Sequence, residues 1–358
     1  MSISLDLIKK EAKIHEIPIV GVVTPRYFLE LKEKLSMFVE EGFSFVFNNE
    51  NIEEKCNPFK TMKACQAIVV LGLPYFVDSL EEQKTAFSPS KFQGELARTA
   101  WGEDYHRVFH RKMESLGSSL KKHYGNIKYQ SYVDTGPLVD RFLAAKANLG
   151  YYGYNNLLYH PEYGSYVFYG YMLIDQEVEG ALGQDEKIEN KTLSLCKDCN
   201  RCIKICPGGA IEKPYRVRAT RCISGILQMK GIMPDEDKKR IGKRIYGCDE
   251  CQKVCPYNIG VRKSSIGTFL PGRPESHPDL IELLSLSNKE FKALYGSNAS
   301  AWRGLRVLKR NALVALGNLM DPKAIPYIVP FLKDHREDLK DAAHWAVQKL
   351  KTIEKELF

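Results

Sequence analysis

The chain has 358 residues, of which 44% are hydrophobic and 27% are charged, so it is long enough for two or three domains with their own cores. No apolar stretch approaches the roughly 20 residues that span a bilayer, and the N-terminus lacks the apolar core of a secretory signal, so we expect a cytoplasmic protein with no membrane partner. The formal net charge is +8, and its positive excess lies in residues 191–358, which fits either a polyanionic partner or a solvated basic surface.

The first 180 residues alternate between patterns typical of helices and patterns typical of strands. Four stretches have helical periodicity, and four short apolar runs have the length and composition of strands. The alternation predicts an α/β-layer domain over residues 1–180 in an α+β multi-domain chain, followed by an acidic linker. The predicted helices are residues 2–15, 27–41, 104–124 and 138–149, the predicted strands are 18–23, 67–73, 129–133 and 166–174, and the linker is 175–190.

Eight of the ten cysteines lie in a segment that is predicted to be a ferredoxin-like domain, residues 181–262. CKDCNRCIKICP at 196–207 has the bacterial ferredoxin spacing, in which the fourth cysteine of a run ligates the other of two 4Fe–4S clusters. CDECQKVCP at 248–256 lacks its front cysteine, which an upstream residue can supply. The predicted ligands are Cys196, Cys199, Cys202 and Cys255 for one cluster, and Cys206, Cys222, Cys248 and Cys251 for the other.

Zinc is the alternative for this array, because pairs of C-x2-C also form structural zinc sites. One zinc ion takes four ligands and the array offers eight, so two ions would be needed, and the double C-P signature favours the clusters. Disulfides are disfavoured in a reducing compartment. Cys56 and Cys65 lie outside the array and are predicted to be ordinary semi-buried thiols.

The last part of the chain, residues 263–358, is predicted to be helical. After a first helix, an Asp-Pro turn and two further helical stretches follow, an order that resembles HEAT-type repeats, in which paired helices bury a shared seam. The apolar positions that recur on one face of the first helix are Leu305, Leu308, Ala312, Ala315 and Leu319.

Three further stretches carry a resemblance to a known family: ARTAWGEDYHRVF (97–109), YVDTGPLVDRFLAAKANLGYYGYNN (132–156) and YGSYVFYGYML (163–173). With the cysteine array and the helical tail, they resemble the epoxyqueuosine reductase family over nearly the whole chain. The resemblance implies that the enzyme reduces epoxyqueuosine to queuosine at the wobble position of tRNA, the last step of queuosine biosynthesis. It also implies cobalamin and two 4Fe–4S clusters as cofactors, and a relationship to reductive dehalogenases.

The resemblance further implies that Asp134, in the motif V-D-T-G-P, is the catalytic proton donor. Such a carboxyl holds a proton near neutral pH only if burial or a nearby carboxylate raises its pKa. Without the resemblance, the same aspartate would be interpreted as a turn residue. The Gly-, Tyr- and Asn-rich segment 150–170 is implied to lie along the cobalamin. The predicted cobalamin-binding residues are His106, Asp134, Arg141, Asn155, Leu158, Ser165 and Tyr169.

The chain departs from the family pattern at several positions. Tyr154 and Asn156 stand where relatives commonly have a lysine and a hydroxyl residue, which puts a role for a charge at position 154 in doubt. The Asp-x-His-x-x-Gly cobalamin loop is absent, since its nearest match, residues 104–109, ends in Phe109. We therefore expect cobalamin without a protein histidine on the cobalt.

The implied partners are a tRNA that carries epoxyqueuosine in its anticodon loop and an electron donor that the sequence does not identify. No pattern requires more than a monomer. A basic stripe on the helix face opposite the apolar seam could track phosphates, although a solvated helix face explains it as well. The predicted tRNA-binding residues are Arg303, Arg306, Lys309 and Arg310.

Two other functions account for parts of the chain. One is a cobalamin and iron–sulfur reductase of a small molecule, similar to a dehalogenase; the basic C-terminal helices and the lack of an export signal argue against it. The other is a non-enzymatic electron-transfer protein with an RNA-binding appendage, which leaves the first 180 residues without a function.

Overall fold

The computed structural model describes residues 2–43, 51–77, 91–181 and 196–356. Up to residue 181, strands and helices alternate along the chain. They are β1 (Ile3–Ser4), α1 (Leu5–Ile14), β2 (Ile19–Val23), α2 (Leu29–Glu40), α3 (Ile52–Cys56), α4 (Pro58–Thr61), β3 (Ala67–Pro74), β4 (Glu95–Leu96), α5 (Tyr105–Tyr124), β5 (Tyr129–Val133), α6 (Asp140–Lys146), β6 (Tyr151–Tyr152), β7 (Leu158–Tyr159), β8 (Val167–Ile174) and β9 (Val178–Glu179).

A four-stranded antiparallel sheet with the order β2-β3-β8-β5 forms the centre of this part. The registers place Leu71 of β3 between Val20 of β2 and Gly170 of β8. Gly170 also lies opposite Val133, the last residue of the edge strand β5. Every residue of β3 is buried, because helices cover both faces of the sheet.

Side chains that alternate along β3 enter two separate cores, as the two-residue period of a strand requires. Val69 and Leu71 pack in the core that includes the apolar face of α5, whereas Ile68 and Val70 pack in the core that includes residues of α2 and α6. The predicted α/β layers are therefore present as helix, sheet and helix.

Three predicted elements differ in extent from the structure. The first helix begins only at Leu5, because Ile3 pairs in parallel with Val178 of β9. That pairing makes the first part of the predicted linker a strand of the fold, while residues 182–190 lie outside the described residues. The helix predicted at 138–149 is the shorter α6, and Asn148 beyond its end has a left-handed φ of 55°.

The cysteine-rich segment is built from short elements. They are α7 (Arg201–Ile205), β10 (Ile211–Lys213), β11 (Arg216–Val217), α8 (Ile223–Ile226), α9 (Asp235–Arg240), β12 (Arg244–Tyr246) and α10 (Glu250–Lys253). β12 pairs in parallel with β4, and Arg98 next to β4 donates its backbone N–H to the buried carboxylate of Asp249 at 2.7 Å. These contacts join the segment to the first part of the chain.

The last part is helical, as predicted, with α11 (Leu280–Ser285), α12 (Asn288–Tyr295), α13 (Leu305–Asn318), α14 (Ile325–Ile328) and α15 (Glu337–Glu356). Four of the five predicted seam positions of α13 are buried, and Leu319, which follows its last turn, is partly buried against the same core. Among the residues that the structure describes, no helix is long and apolar enough to cross a membrane.

The prediction that Lys309 and Arg310 face solvent is wrong. Arg310 is 1% exposed and donates to the backbone carbonyls of Met229 and Gly231 at 2.7 and 2.8 Å. Lys309 is 8% exposed, and its ammonium donates to the carbonyl of Leu286. Around these two residues, the helix face opposite the seam is covered by the cysteine-rich segment and by α11, so both cations bind carbonyls inside the protein.

Candidate active site

Asp134 directly follows the edge strand β5 and lies where the end of that strand packs beside the start of α5. Its backbone has a left-handed φ of 56°, which aspartate tolerates better than most residues. The hydroxyl of Tyr105 donates to Oδ2 of Asp134 at 3.0 Å, and Nε2 of His106 lies 3.6 Å from the same oxygen. The Asp134 side chain is 59% exposed, so its carboxylate is held by protein groups on one side and open on the other.

His106 lies between two carboxylates. Its Nδ1 is 2.8 Å from Oδ1 of Asp104, the residue that caps α5, and its Nε2 faces Asp134. Burial alone would lower the pKa of His106, but the hydrogen bond to Asp104 and the charges of Asp104 and Asp134 outweigh it and raise the pKa to about 9. The imidazole is therefore a cation at neutral pH.

The pKa of Asp134 shifts in the opposite direction. Desolvation by the surrounding protein acts to raise the pKa of its carboxyl, but the nearby charge of His106 and the hydrogen bond from Tyr105 lower the pKa below its usual value. The raised pKa expected for a proton donor is thus not a property of this arrangement. The reason is that the charge next to Asp134 is an imidazolium, whereas the expectation assumed burial or a second carboxylate.

An aromatic stack supports these polar groups from below. The ring of Tyr105 stacks on Phe168 of β8 and on His106, with 4.1 Å between centroids in both pairs. Burial, followed by the charge of Asp134, raises the pKa of Tyr105 well above its ordinary value, so its hydroxyl stays a donor. Tyr105 and Asp104 were not predicted as site residues from the sequence. The available signal was that both lie at the start of a predicted helix.

The other predicted cobalamin residues fall into two groups. Arg141 is exposed, and one of its guanidinium nitrogens donates to the carbonyl of Asn156. The side chains of Asn155, Leu158 and Ser165 are at most 5% exposed. Asn155 and Ser165 also make their hydrogen bonds inside the protein, so these three positions could reach a ligand only through the backbone.

Tyr169 differs from those three residues. It is 6% exposed, and its hydroxyl is a buried atom with no hydrogen-bond partner. A buried hydroxyl without a partner is costly, and in native structures it often marks a place where a ligand or water binds.

The cysteines come together in two sets of four. Burial, and after it the thiols of Cys255, Cys196 and Cys199, raise the pKa of Cys202 to about 11. Cys255 also packs in one small cluster with Cys196. Although it belongs to the second sequence run, it therefore lies with the first.

The second set is arranged around Cys251. Burial raises the pKa of this thiol, and the neighbouring thiols of Cys222, Cys248 and Cys206 raise it further. Among the described residues, no three His, Cys, Asp or Glu side chains converge closely enough to hold one metal ion. Cys56 and Cys65 lie in the core that includes residues of α2 and α6, away from both sets, as ordinary buried thiols.

Comparison with family models adds two matches. "4Fe-4S double cluster binding domain" matches residues 195–258, and "Epoxyqueuosine reductase QueG, DUF1730" matches residues 55–135. The epoxyqueuosine reductase of Lactococcus garvieae is 36% identical over 96% of this chain and 95% of its own length, and that of Bacillus subtilis is 35% identical over 92% and 83%. The chain belongs to the epoxyqueuosine reductase family.

Solved structures of epoxyqueuosine reductases have the same fold. The Streptococcus thermophilus enzyme has a TM-score of 0.87 at 34% identity and covers 97% of this chain and 90% of its own. An enzyme in complex with an epoxyqueuosine-modified stem loop of tyrosine tRNA has a TM-score of 0.87 at 33% identity, covering 96% and 89%. A Bacillus subtilis structure, with a TM-score of 0.86 at 32% identity over 96% and 90%, has its aspartate catalytic loop swung out of the active site.

In this chain, two of the predicted tRNA contacts remain accessible. Arg306 is 52% exposed at its side chain and pairs with Asp338 at 2.7 Å. Arg303 is partly exposed, and its guanidinium lies 4.0 Å from the ring centre of Trp302, which is itself 52% exposed. The indole N–H of Trp302 donates to Oε1 of Gln228 at 2.8 Å, which fixes this ring to the cysteine-rich segment.

Proposed function

We propose that this chain reduces epoxyqueuosine in the anticodon loop of a tRNA, using cobalamin and two 4Fe–4S clusters and a proton delivered at Asp134. Removal of the epoxide oxygen takes two electrons and two protons, leaves a cyclopentene and releases the oxygen as water. Family membership supports the reaction, and the relative in complex with an epoxyqueuosine-modified stem loop supports the substrate. The assignment of the active site rests on the Asp134 carboxylate, which is exposed on one side and contacts Tyr105 and the His106 cation on the other.

The proton is delivered by Asp134 and His106 acting together. Near neutral pH the structure favours a proton on His106 rather than on Asp134, because the pKa of the first is raised and that of the second is lowered. A ligand that covers the exposed side of Asp134 removes water from the carboxylate, and desolvation favours its neutral form. The proton then moves from His106 to Asp134 and on to the leaving oxygen, while Tyr105 fixes the carboxylate; the second proton, which completes the water, comes from solvent.

The two cysteine sets fit two 4Fe–4S clusters. Each set supplies four thiols, as a cluster requires, and the crossing of Cys255 and Cys206 into the set of the other run is the bacterial ferredoxin arrangement. The proposed ligands are those predicted from the spacing. Their domain is residues 181–262, and the donor that reduces it is a separate partner.

Cobalamin, when bound, supplies a cobalt centre that stores and delivers electrons. Two residues fit a polar ligand: Arg141 is exposed and its charge acts on Asp134, and the buried Tyr169 hydroxyl lacks a hydrogen-bond partner. Both ring nitrogens of His106 face carboxylates, so His106 would not be a ligand of the cobalt. We assign cobalamin binding to residues 1–180.

The helical part, residues 263–358, would bind the tRNA. α13 packs against α15 along the predicted apolar seam, with Leu308, Ala312 and Ala346 all fully buried, which supports a HEAT-like pair. Arg303 and Arg306 are the proposed phosphate contacts, since both keep exposed surface. One chain contains all of these parts, so the proposal needs no more than a monomer in the cytoplasm.

The test is a single reconstituted reaction. The protein is purified without oxygen, loaded with iron, sulfide and cobalamin, and mixed with a strong reductant and an epoxyqueuosine-containing anticodon stem-loop. Mass spectrometry of the digested RNA should show the loss of one oxygen with wild type and about 10²–10⁴-fold slower loss with Asp134→Asn, the range for a general acid. No conversion by wild type that holds both clusters and cobalamin would refute the function; equal rates would refute the role of Asp134.

A further inference from the structure

Asp140 makes a contact that its position in the helix does not require. It is the first residue of α6, where an acidic side chain commonly serves the helix itself. Here its Oδ2 instead accepts the backbone N–H of Asp134 at 2.5 Å, across the turn that connects β5 to α6. Its other oxygen, Oδ1, is a buried atom without a hydrogen-bond partner.

The Asp134 amide needs a side-chain acceptor because of where the sheet ends. The ladder between β5 and β8 stops with Val133 opposite Gly170, so the next amide has no strand partner. The left-handed φ of Asp134 turns the chain away from the sheet at this point. A conformation of this kind is sparsely populated and persists only where the surroundings hold it.

A second contact holds the other end of the same turn. The backbone N–H of Leu138 donates to the hydroxyl of Tyr171 at 2.9 Å, and Tyr171 is fully buried in β8. Residues 134–138 are therefore attached at both ends: the far end by a core tyrosine, and the end that carries the proposed proton donor by Asp140.

We propose that Asp140 is a positioning residue: its carboxyl accepts the Asp134 N–H and thereby holds the Asp134 carboxylate in the active site. The proposal rests on the function proposed above, in which Asp134 delivers the proton. It assigns Asp140 no contact with the substrate. Asp140 must supply only a hydrogen-bond acceptor for the backbone N–H of Asp134.

The surroundings of Asp140 show that a full negative charge is not needed for this task. Burial raises the pKa of Asp140 to about 8, although the hydrogen bond from Asp134 and the charges of Arg141 and His106 act to lower it. Lys55 of α3 and Tyr171 of β8 also face this carboxyl. A protonated carboxyl still presents a carbonyl oxygen to the Asp134 N–H, so an amide side chain should replace it.

The test compares two substitutions at position 140 in the protein loaded with both clusters and cobalamin. Asp140→Ala removes the acceptor and should lower kcat on the epoxyqueuosine stem-loop by about 100-fold with KM unchanged, since a small misplacement of a catalytic group costs that much. Asp140→Asn keeps an acceptor oxygen and should restore most of the rate. Asp175→Ala is the matched control: that carboxylate also accepts a backbone N–H, from Lys128, at the opposite end of β5.

Amide hydrogen exchange gives a readout that does not depend on turnover. The peptide containing residues 133–139 should exchange about tenfold faster or more in Asp140→Ala than in wild type, and at the wild-type rate in Asp140→Asn and Asp175→Ala. Equal exchange and equal kcat in Asp140→Ala and wild type would overturn the proposal. So would an Asn variant as impaired as the Ala variant. If wild type itself converts no substrate, the proposed function fails, and the exchange rates alone decide whether Asp140 holds the turn.

Discussion

Asp104 controls the proton on His106, and replacing it by asparagine tests the electrostatics of the site. Asp104 is linked to Nδ1 of His106 at 2.8 Å, and its Oδ1 also caps α5 by accepting the His106 N–H at 3.0 Å. Asparagine keeps the capping oxygen, because Asn and Asp serve equally well at a helix N-cap. The substitution therefore removes the charge and leaves the helix start intact.

The expected size of the effect follows from the pKa of His106. Its rise from 6.5 to about 9 corresponds to about 3 kcal/mol between the charged and neutral forms, at about 1.4 kcal/mol for each tenfold change in proton affinity. Asp104 supplies the shorter of the two contacts and the less exposed carboxylate. We therefore expect Asp104→Asn to remove more than half of this rise, about 1.5 pH units, which brings the pKa of His106 to about 7.5 or below.

The sign of the pH dependence follows from the raised pKa. In the unfolded chain His106 titrates near 6.5, so the stabilisation by its charge is complete below that pH and disappears as the pH rises through about 9. Turnover that depends on the same proton should fall over the same range in wild type, and about 1.5 pH units lower in Asp104→Asn.

The assay is an NMR titration of protein labelled at histidine Cε1, with His106 assigned by its absence in His106→Gln. Wild type should titrate near 9 and Asp104→Asn near 7.5 or below, and the alkaline limb of kcat should move with the NMR value. A wild-type pKa at or below 7 would refute the argument about the two carboxylates. An unchanged pKa in the variant would show that Asp104 contributes no charge effect.

Two further substitutions test the clusters and the junction between the parts of the chain. Cys255→Ser should lower the iron content from about eight to about four atoms per chain. Cys65→Ser, at a thiol that is also buried, should leave the iron content unchanged. Full iron in Cys255→Ser would contradict the ligand assignment. Arg310→Met leaves buried carbonyls without donors and should lower Tm by several degrees. The control is Arg262→Met, at an arginine that is 68% exposed, and it should change Tm little. Equal Tm values would show that the buried hydrogen bonds add nothing.

The sequence predicted the elements that flank the site well. β5 has the predicted bounds, and α5 begins one residue after the predicted start. Both segments have strong periodicity, and Asp104 is a typical cap. The cysteine sets follow from spacing because a bacterial ferredoxin motif dictates which thiol crosses over.

Other features depend on contacts that no local pattern contains. The periodicity of α13 identified its apolar seam, but it could not show that the opposite face is also buried, which is why Arg310 was misplaced. The pKa of Asp134 was misjudged for a similar reason. Its partner Tyr105 lies 29 positions earlier in the chain, and only the packing of α5 beside β5 brings His106 next to it.

The position of the cysteine sets relative to Asp134 is determined by a few buried polar side chains. Gln252, next to the proposed ligand Cys251, donates to the hydroxyl of Ser165 at 2.9 Å, and Asn258 donates to the same hydroxyl at 2.9 Å. Ser165 lies two residues before the start of β8, the strand whose Gly170 lies opposite the end of β5. The cluster ligands are therefore fixed to the same end of the sheet as the proposed proton donor. The thiols proposed to hold the electron-carrying clusters and the proposed proton donor therefore lie at one end of the sheet, as a reaction that uses both electrons and protons would need.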